Sequence, residues 1–243
     1  MTNPHPEASP LPPGQKARPD FPRFGLAPYA GRFPHDATAR TLQLSGGALT
    51  PAVISSTLQG LERVEQVSDF HCVTTWSHRA LRWGGVRFSD FYQLHIAPRT
   101  DPALGVRWVV LRGQDGYQSR MLLEDLLASG VILADTLNGR PLSLDHGAPL
   151  RLVAPAHYGY KSVKHVSHIE CWQAEPQGPQ SPFAFMNHPR GRVAHEERAQ
   201  WLPGWLLRHV YRPMIHANAA RFARAAAQHA ATKPATTGDF DAR

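Results

Sequence analysis

The stretch Asp69-Phe-His-Cys-Val-Thr-Thr-Trp-Ser77 carries one of only two cysteines in a chain of 243 residues. A cysteine that closes a strand beside a bulky aromatic, here Trp76, is held rigidly. A thiolate so held is a soft, strongly donating ligand for a metal that changes oxidation state. Cys72 is therefore read as a metal ligand, the alternative being a buried apolar thiol. Cys171, in Ile169-Glu-Cys-Trp172, takes the second reading. His71 and His78 flank Cys72, but with no second cysteine nearby the spacing does not make a zinc site.

Two cysteines so far apart cannot form a disulfide framework, so free thiols in a reducing compartment are expected. The proline-rich start, residues 1–20, has neither an apolar core nor a twin arginine, and the expectation is a cytoplasmic protein. No apolar run is long enough for a transmembrane segment. The 26 Lys and Arg against 19 Asp and Glu give a net charge of +7. That excess favours an anionic partner, whether a phosphate-bearing cofactor, a nucleic acid or an acidic protein, unless the arginines are simply solvated surface.

Working outward from Cys72, short runs at 41–44, 64–67, 106–111, 117–122, 150–153 and 163–172 read as strands. Asn138-Gly139 marks a hairpin, because both residues tolerate the positive φ of a type I′ turn. Thr50-Pro51 and Ser89 read as helix starts, the latter capping 90–95. The fold class is α+β rather than a regular βαβ alternation. Residues 20–175 form one domain. A loop at 175–182 leads to a helical C-terminal extension, 176–232, with helices at 194–211 and 213–231 separated by Pro213. Residues 1–19 and 233–243 are expected to be disordered. Trp201, Trp205, Leu206, Val210 and Met214 share a helical face with Arg208 and Arg212 near it, read either as packing on the domain or as a docking face for a partner or membrane.

Five motifs in order carry a resemblance: Cys72-Val-Thr-Thr-Trp-Ser77, Trp83-Gly-Gly-Val86, Asp115-Gly-Tyr117, His146-Gly-Ala-Pro-Leu-Arg151 and Tyr158-Gly-Tyr-Lys-Ser-Val-Lys164. Over about residues 40–172 the chain resembles the sulfite oxidase-type molybdopterin-binding oxidoreductases, including the bacterial methionine-sulfoxide reductase catalytic subunit. The resemblance implies the sulfite oxidase-like fold, with β-rich mixed sheets and short edge helices. It also implies a molybdenum-molybdopterin cofactor, with Cys72 as the ligand of the metal.

Around that ligand, the resemblance makes His146, Arg151, Ser162, Val163 and Lys164 pterin and phosphate contacts. Residue chemistry agrees for Arg151, whose planar guanidinium can grip phosphate bidentately, and for Gly159, which permits close backbone approach. Arg23 is a looser match to an arginine that binds anionic substrate and cofactor, with Arg32 as competitor. Tyr117 matches a tyrosine on the substrate side of the metal, where a phenol hydrogen-bonds the transferred oxygen. A plain turn tyrosine and a solvated loop histidine are the other readings of Tyr117 and His146.

The start of the chain lacks the Asn and Tyr-Glu pterin contacts of the bacterial reductases, and Lys164-His165 stands where the family reads Lys-Trp. Neither the haem domain nor the C-terminal immunoglobulin-like domain of animal sulfite oxidases is expected from these 243 residues. The implied activity is two-electron oxygen-atom transfer on a small-molecule oxo substrate, sulfite- or sulfoxide-like, with a separate electron-transfer partner, a haem or flavin protein. The alternatives are a molybdopterin-binding carrier or structural subunit without turnover, and a basic nucleic-acid binder, for which no motif is present.

Overall fold

In the computed structural model, which describes residues 10–55, 57–176 and 188–232, eleven strands form two sheets. The first is built around β5 (Trp76–Arg87), a twelve-residue strand that pairs antiparallel with β4 (Arg63–His71) and with β8 (Ile132–Leu137). β10 (Arg151–Val153) and β9 (Arg140–Pro141) both add to β8. β1 (Lys16–Ala17) pairs parallel with the start of β5.

The second sheet has the order β3 (Ala52–Ile54), β2 (Leu42–Ser45), β11 (Val166–Trp172), β6 (Trp108–Gly113), β7 (Gln118–Leu122). Only its β2–β11 pairing is parallel. All six strand expectations fall on strands, four of them in this sheet, where alternation places Leu42, Leu44, Val109, Leu111, Met121 and Ile169 on the inner face. They meet Val86, Leu133, Leu150 and Leu152 from the first sheet in the main core. The opposite face of the first sheet packs Leu81, Trp83, Ile132 and Val153 against Phe21 and Phe70. Asn138 and Gly139 take φ of 51° and 76° at the β8–β9 turn, as a type I′ hairpin requires.

Four expectations are corrected. Thr50-Pro51 starts no helix: Ala52–Ile54 is an edge strand that pairs with β2 and turns Ile54 inward, and burial of that side chain outweighs the local cap signal. Ser89 does not cap. Its Oγ donates to Asp90 Oδ1 at 3.1 Å, and α1 (Phe88–Phe91) starts from Arg87 and runs into a π-helical turn at Tyr92–Ile96.

Helix does not begin at 194. Glu196 has φ of 54°, and the helix α3 (Gly204–Tyr211) starts only after Pro203, followed by α4 (Met214–Thr232). Residues 10–19, expected to be disordered, instead lie along β5. Lys16 N–H donates to Thr75 O, Arg18 N–H donates to Ser77 O, and Gln15 is buried. Most of the 175–182 loop, and the ends 1–9 and 233–243, lie outside the described residues. Among those described, no helix is long and apolar enough to cross a membrane.

Candidate active site

Cys72 sits one residue past β4, in the turn that reverses the chain into β5. Thr75, at φ of 83°, completes that turn, and backbone bonds join Cys72 N–H to Trp76 O and Thr75 N–H to Cys72 O. Two distant segments fix it. Gln15 Nε2 donates to Cys72 O at 3.1 Å, while Arg198, fully buried, donates through Nη1 to Val73 O at 2.5 Å and through Nη2 to Pro13 O at 3.0 Å. Cys72 Sγ lies 3.1 Å from Thr74 Oγ1. Burial raises the thiol pKa, opposed by the Thr74 bonds and by Arg198 and Arg18.

The sulfur opens on a cavity of about 390 Å³. Arg23, Tyr117, Arg151, Ser162 and Lys164 line it with Cys72, so six of the expected site residues, scattered from position 23 to 164, converge on one space. Arg151 is wholly buried, and its guanidinium donates only to backbone carbonyls, among them His146 O at 2.9 Å. Burial alone lowers its pKa to about 9. Lys164 Nζ donates to Asp145 O at 2.7 Å; burial first, then Arg151 and Arg23, bring it down to about 7. Neither cation has a carboxylate partner among the described residues. Arg23 is clamped between the rings of Phe33 and Phe222 and lies 3.8 Å from Asp145. Arg151, wholly buried with no carboxylate against it, and Lys164, half-buried with Asp145 and Asp115 near it, give the cavity an excess of positive charge suited to an anion.

Three expected contacts look different in three dimensions. His146 does not line the cavity. Its ring stacks on Phe21 at 4.7 Å, and it serves the site through the carbonyl that receives Arg151. Val163 belongs to the main core, with its N–H given to Lys161 O and its carbonyl to Leu152 N–H, which leaves nothing to offer a ligand. Tyr117 lines the cavity, but its hydroxyl donates to Tyr160 O at 2.6 Å, so the proton is already committed.

Neither histidine beside Cys72 makes a zinc site. His71 Nδ1 bonds Ser77 Oγ and His78 Nδ1 donates to Arg18 O, and no group of three His, Cys, Asp or Glu side chains converges among the described residues.

Other lining residues had weak or no sequence signals. Asp115 was visible only as part of the Tyr117 motif; burial raises its carboxyl pKa. His165, noted as a departure, is buried at φ of 54° and donates from Nδ1 to Ala148 O at 2.6 Å. Trp76 leaves its indole N–H without a partner. From α4 come Met214, Asn218, Arg221 and Phe222, anchored where Asn218 Nδ2 donates to Gly25 O at 2.6 Å. No motif announced that helix as a wall of the site.

Residues 30–180 match the family described as the oxidoreductase molybdopterin binding domain. The chain belongs to that family. It is 32% identical over 194 residues to the uncharacterized oxidoreductase YuiH of Bacillus subtilis (strain 168), covering 79% of this chain and 92% of that one. It is 27% identical over 180 residues to the protein-methionine-sulfoxide reductase catalytic subunit MsrP of Xanthomonas campestris pv. campestris, covering 66% of this chain and 55% of that one. The chain thus spans about half the length of this MsrP relative. In fold it is similar to the sulfane dehydrogenase SoxCD of Paracoccus pantotrophus, with a TM-score of 0.51 at 20% identity over 65% of this chain and 44% of that one.

As a member of the sulfite oxidase-type molybdopterin oxidoreductases, the chain is an enzyme whose cofactor is molybdenum-molybdopterin. A cysteine sulfur at the cavity, a wholly buried arginine without a carboxylate partner and an unpartnered indole N–H suit that sulfur-rich, phosphate-bearing group.

Proposed function

We propose that the chain catalyses two-electron oxygen-atom transfer on a small organic oxo compound and exchanges electrons with a separate redox partner. The observation that carries this is the convergence of Cys72 Sγ with the cationic side chains of Arg151 and Lys164 in one cavity. Cys72 would bind the molybdenum. Arg23, Arg151, Ser162 and Lys164 would hold the pterin and its phosphate. When bound, the cofactor supplies a metal that cycles two electrons while an oxygen atom is exchanged.

The protein's own contribution is placement and proton supply. The turn held by Gln15 and Arg198 fixes the sulfur so that it needs no reorganisation. Asp115, whose carboxyl pKa burial raises, lies in the same cavity and can hold or give a proton. Reducing a sulfoxide consumes two protons and two electrons and releases water.

Phe24, Leu26, Pro28, Met214 and Phe222 make part of the wall apolar, which suits an organic sulfoxide better than free sulfite.

The test is metal and pterin analysis of protein made in a cofactor-competent host, followed by oxidation of dithionite-reduced viologen by aryl sulfoxides and reduction of ferricyanide by sulfite. Cys72→Ser should abolish turnover and alter the molybdenum spectrum while leaving the fold intact. Metal without turnover on the whole panel would return the chain to a carrier role, and full activity of Cys72→Ser would end the ligand assignment.

A further inference from the structure

Six of the ten exposed large apolar side chains among the described residues fall between positions 201 and 214: Trp201, Leu202, Trp205, Leu206, Val210 and Met214. Trp201 is 73% exposed and Trp205 59%. Solvated tryptophans at this density are a cost unless something covers them.

The location is as informative as the composition. α3 packs its inner side, Leu207 and Tyr211, against Ala199 and Val73, the residue that follows Cys72 and lines the cavity. Its outer side is the apolar patch. One helix, about 10–12 Å across, therefore separates that patch from the turn carrying the sulfur. Met214 belongs to both the patch and the cavity lining.

Charge narrows the occupant. From Arg198 to Thr232 the sequence contains no Asp or Glu, and Arg212, Arg221, Arg224, His209 and His216 are exposed there. An apolar centre rich in Trp and Met, rimmed by arginine, has the composition of a protein interface, and its charge selects an acidic surface. A lipid surface fits less well. α3 has only eight residues, and much of the exposed side of α4 is alanine, which gives little apolar area to insert.

Resting on the oxidoreductase reading above, we propose that the outer face of α3, with the rim of α4, is the docking surface for a small acidic redox protein. A partner seated there exchanges electrons with the site across the thickness of α3.

The experiment uses reduced acidic flavodoxin as the electron donor and an aryl sulfoxide as acceptor. Parallel assays use dithionite-reduced viologen, which needs no docking surface, and the same flavodoxin with its carboxylates amidated. The flavodoxin-driven kcat/KM should fall about tenfold or more, on the order of 1.4 kcal/mol, between about 50 and about 300 mM salt. It should fall as far with amidated flavodoxin and in a Trp205→Gln/Arg212→Glu variant, while the viologen-driven rate stays unchanged.

Flavodoxin turnover indifferent to salt, amidation and variant would overturn the proposal. So would the absence of flavodoxin turnover in protein that is active with viologen. Wild-type chain that sediments with vesicles containing anionic phosphatidylglycerol, loses that binding in the variant and keeps its flavodoxin rate would assign the face to lipid instead. Wild-type protein inactive with viologen as well would sink the oxidoreductase reading itself.

Discussion

Arg151 shows how far this chain departs from what folding alone would choose. Its charge is sealed in protein with carbonyl oxygens and the rings of Trp83 and Phe70 for company but no carboxylate, and burial drops its pKa to about 9. A bound phosphate would supply the missing counter-charge, so ligand affinity and apo stability pull against each other at this position. Arg151→Met should lower molybdopterin content per chain by about tenfold or more and remove most of the rise in Tm that loading gives the wild type. Metal and pterin assay beside thermal melts of apo and loaded protein measure both.

His165 gives a pH signature. Burial lowers its pKa to about 4 in the folded chain, so between about 6.5 and 4 the unfolded chain binds a proton that the folded chain refuses. The contribution is present in full above about pH 6.5 and is lost as pH falls, for a total of roughly 3 kcal/mol. His165→Asn, which tolerates the positive φ, should flatten the acid limb of a urea-denaturation series. An unchanged acid limb would show that the ring does not titrate there.

At the scale of elements, local chemistry was readable where it coincided with packing and misleading where it did not. Asn138-Gly139 announced its hairpin because positive φ is a property of those residues themselves. Thr50-Pro51 offered an equally local helix signal and lost it to an edge strand, because Ile54 gains more by facing the core than the cap offers. Helix α4 carried an ordinary amphipathic pattern, yet its one buried residue, Phe222, stacks on Phe24 at 6.3 Å, lies beside Arg23 and closes the cavity. Phe222→Ala should cost about 3 kcal/mol of docking energy for that helix. Amide exchange across Met214–Thr232 would then speed up by about a hundredfold, with the sheet amides unchanged and the KM for an aryl sulfoxide raised. Loss of protection across both sheets would mean that the helix is part of the cooperative core.

For the molecule as a whole, Arg198 ties together segments that the sequence separates. Its guanidinium bonds Pro13 and Val73 carbonyls and pairs with Glu196, which in turn holds Arg208 of α3. Residues outside the matched family region thus clamp the turn that carries the sulfur. The wild type should melt in one transition, with far-UV dichroism and tryptophan fluorescence superimposed, and Arg198→Met should lose about 3–5 kcal/mol. An early helical transition would mark α3 and α4 as a separable extension.

The sequence by itself determined the family, the fold class and six of the side chains that line the cavity. Ordered motifs and two-residue alternation are one-dimensional records of strand faces and ligand chemistry. Tertiary structure alone decided that His146 and Val163 turn away, that Tyr117 has spent its proton, and that Gln15, Arg198 and helix α4 brace and wall the site. Those outcomes depend on which backbone groups meet across long separations, and no local propensity or spacing encodes such meetings.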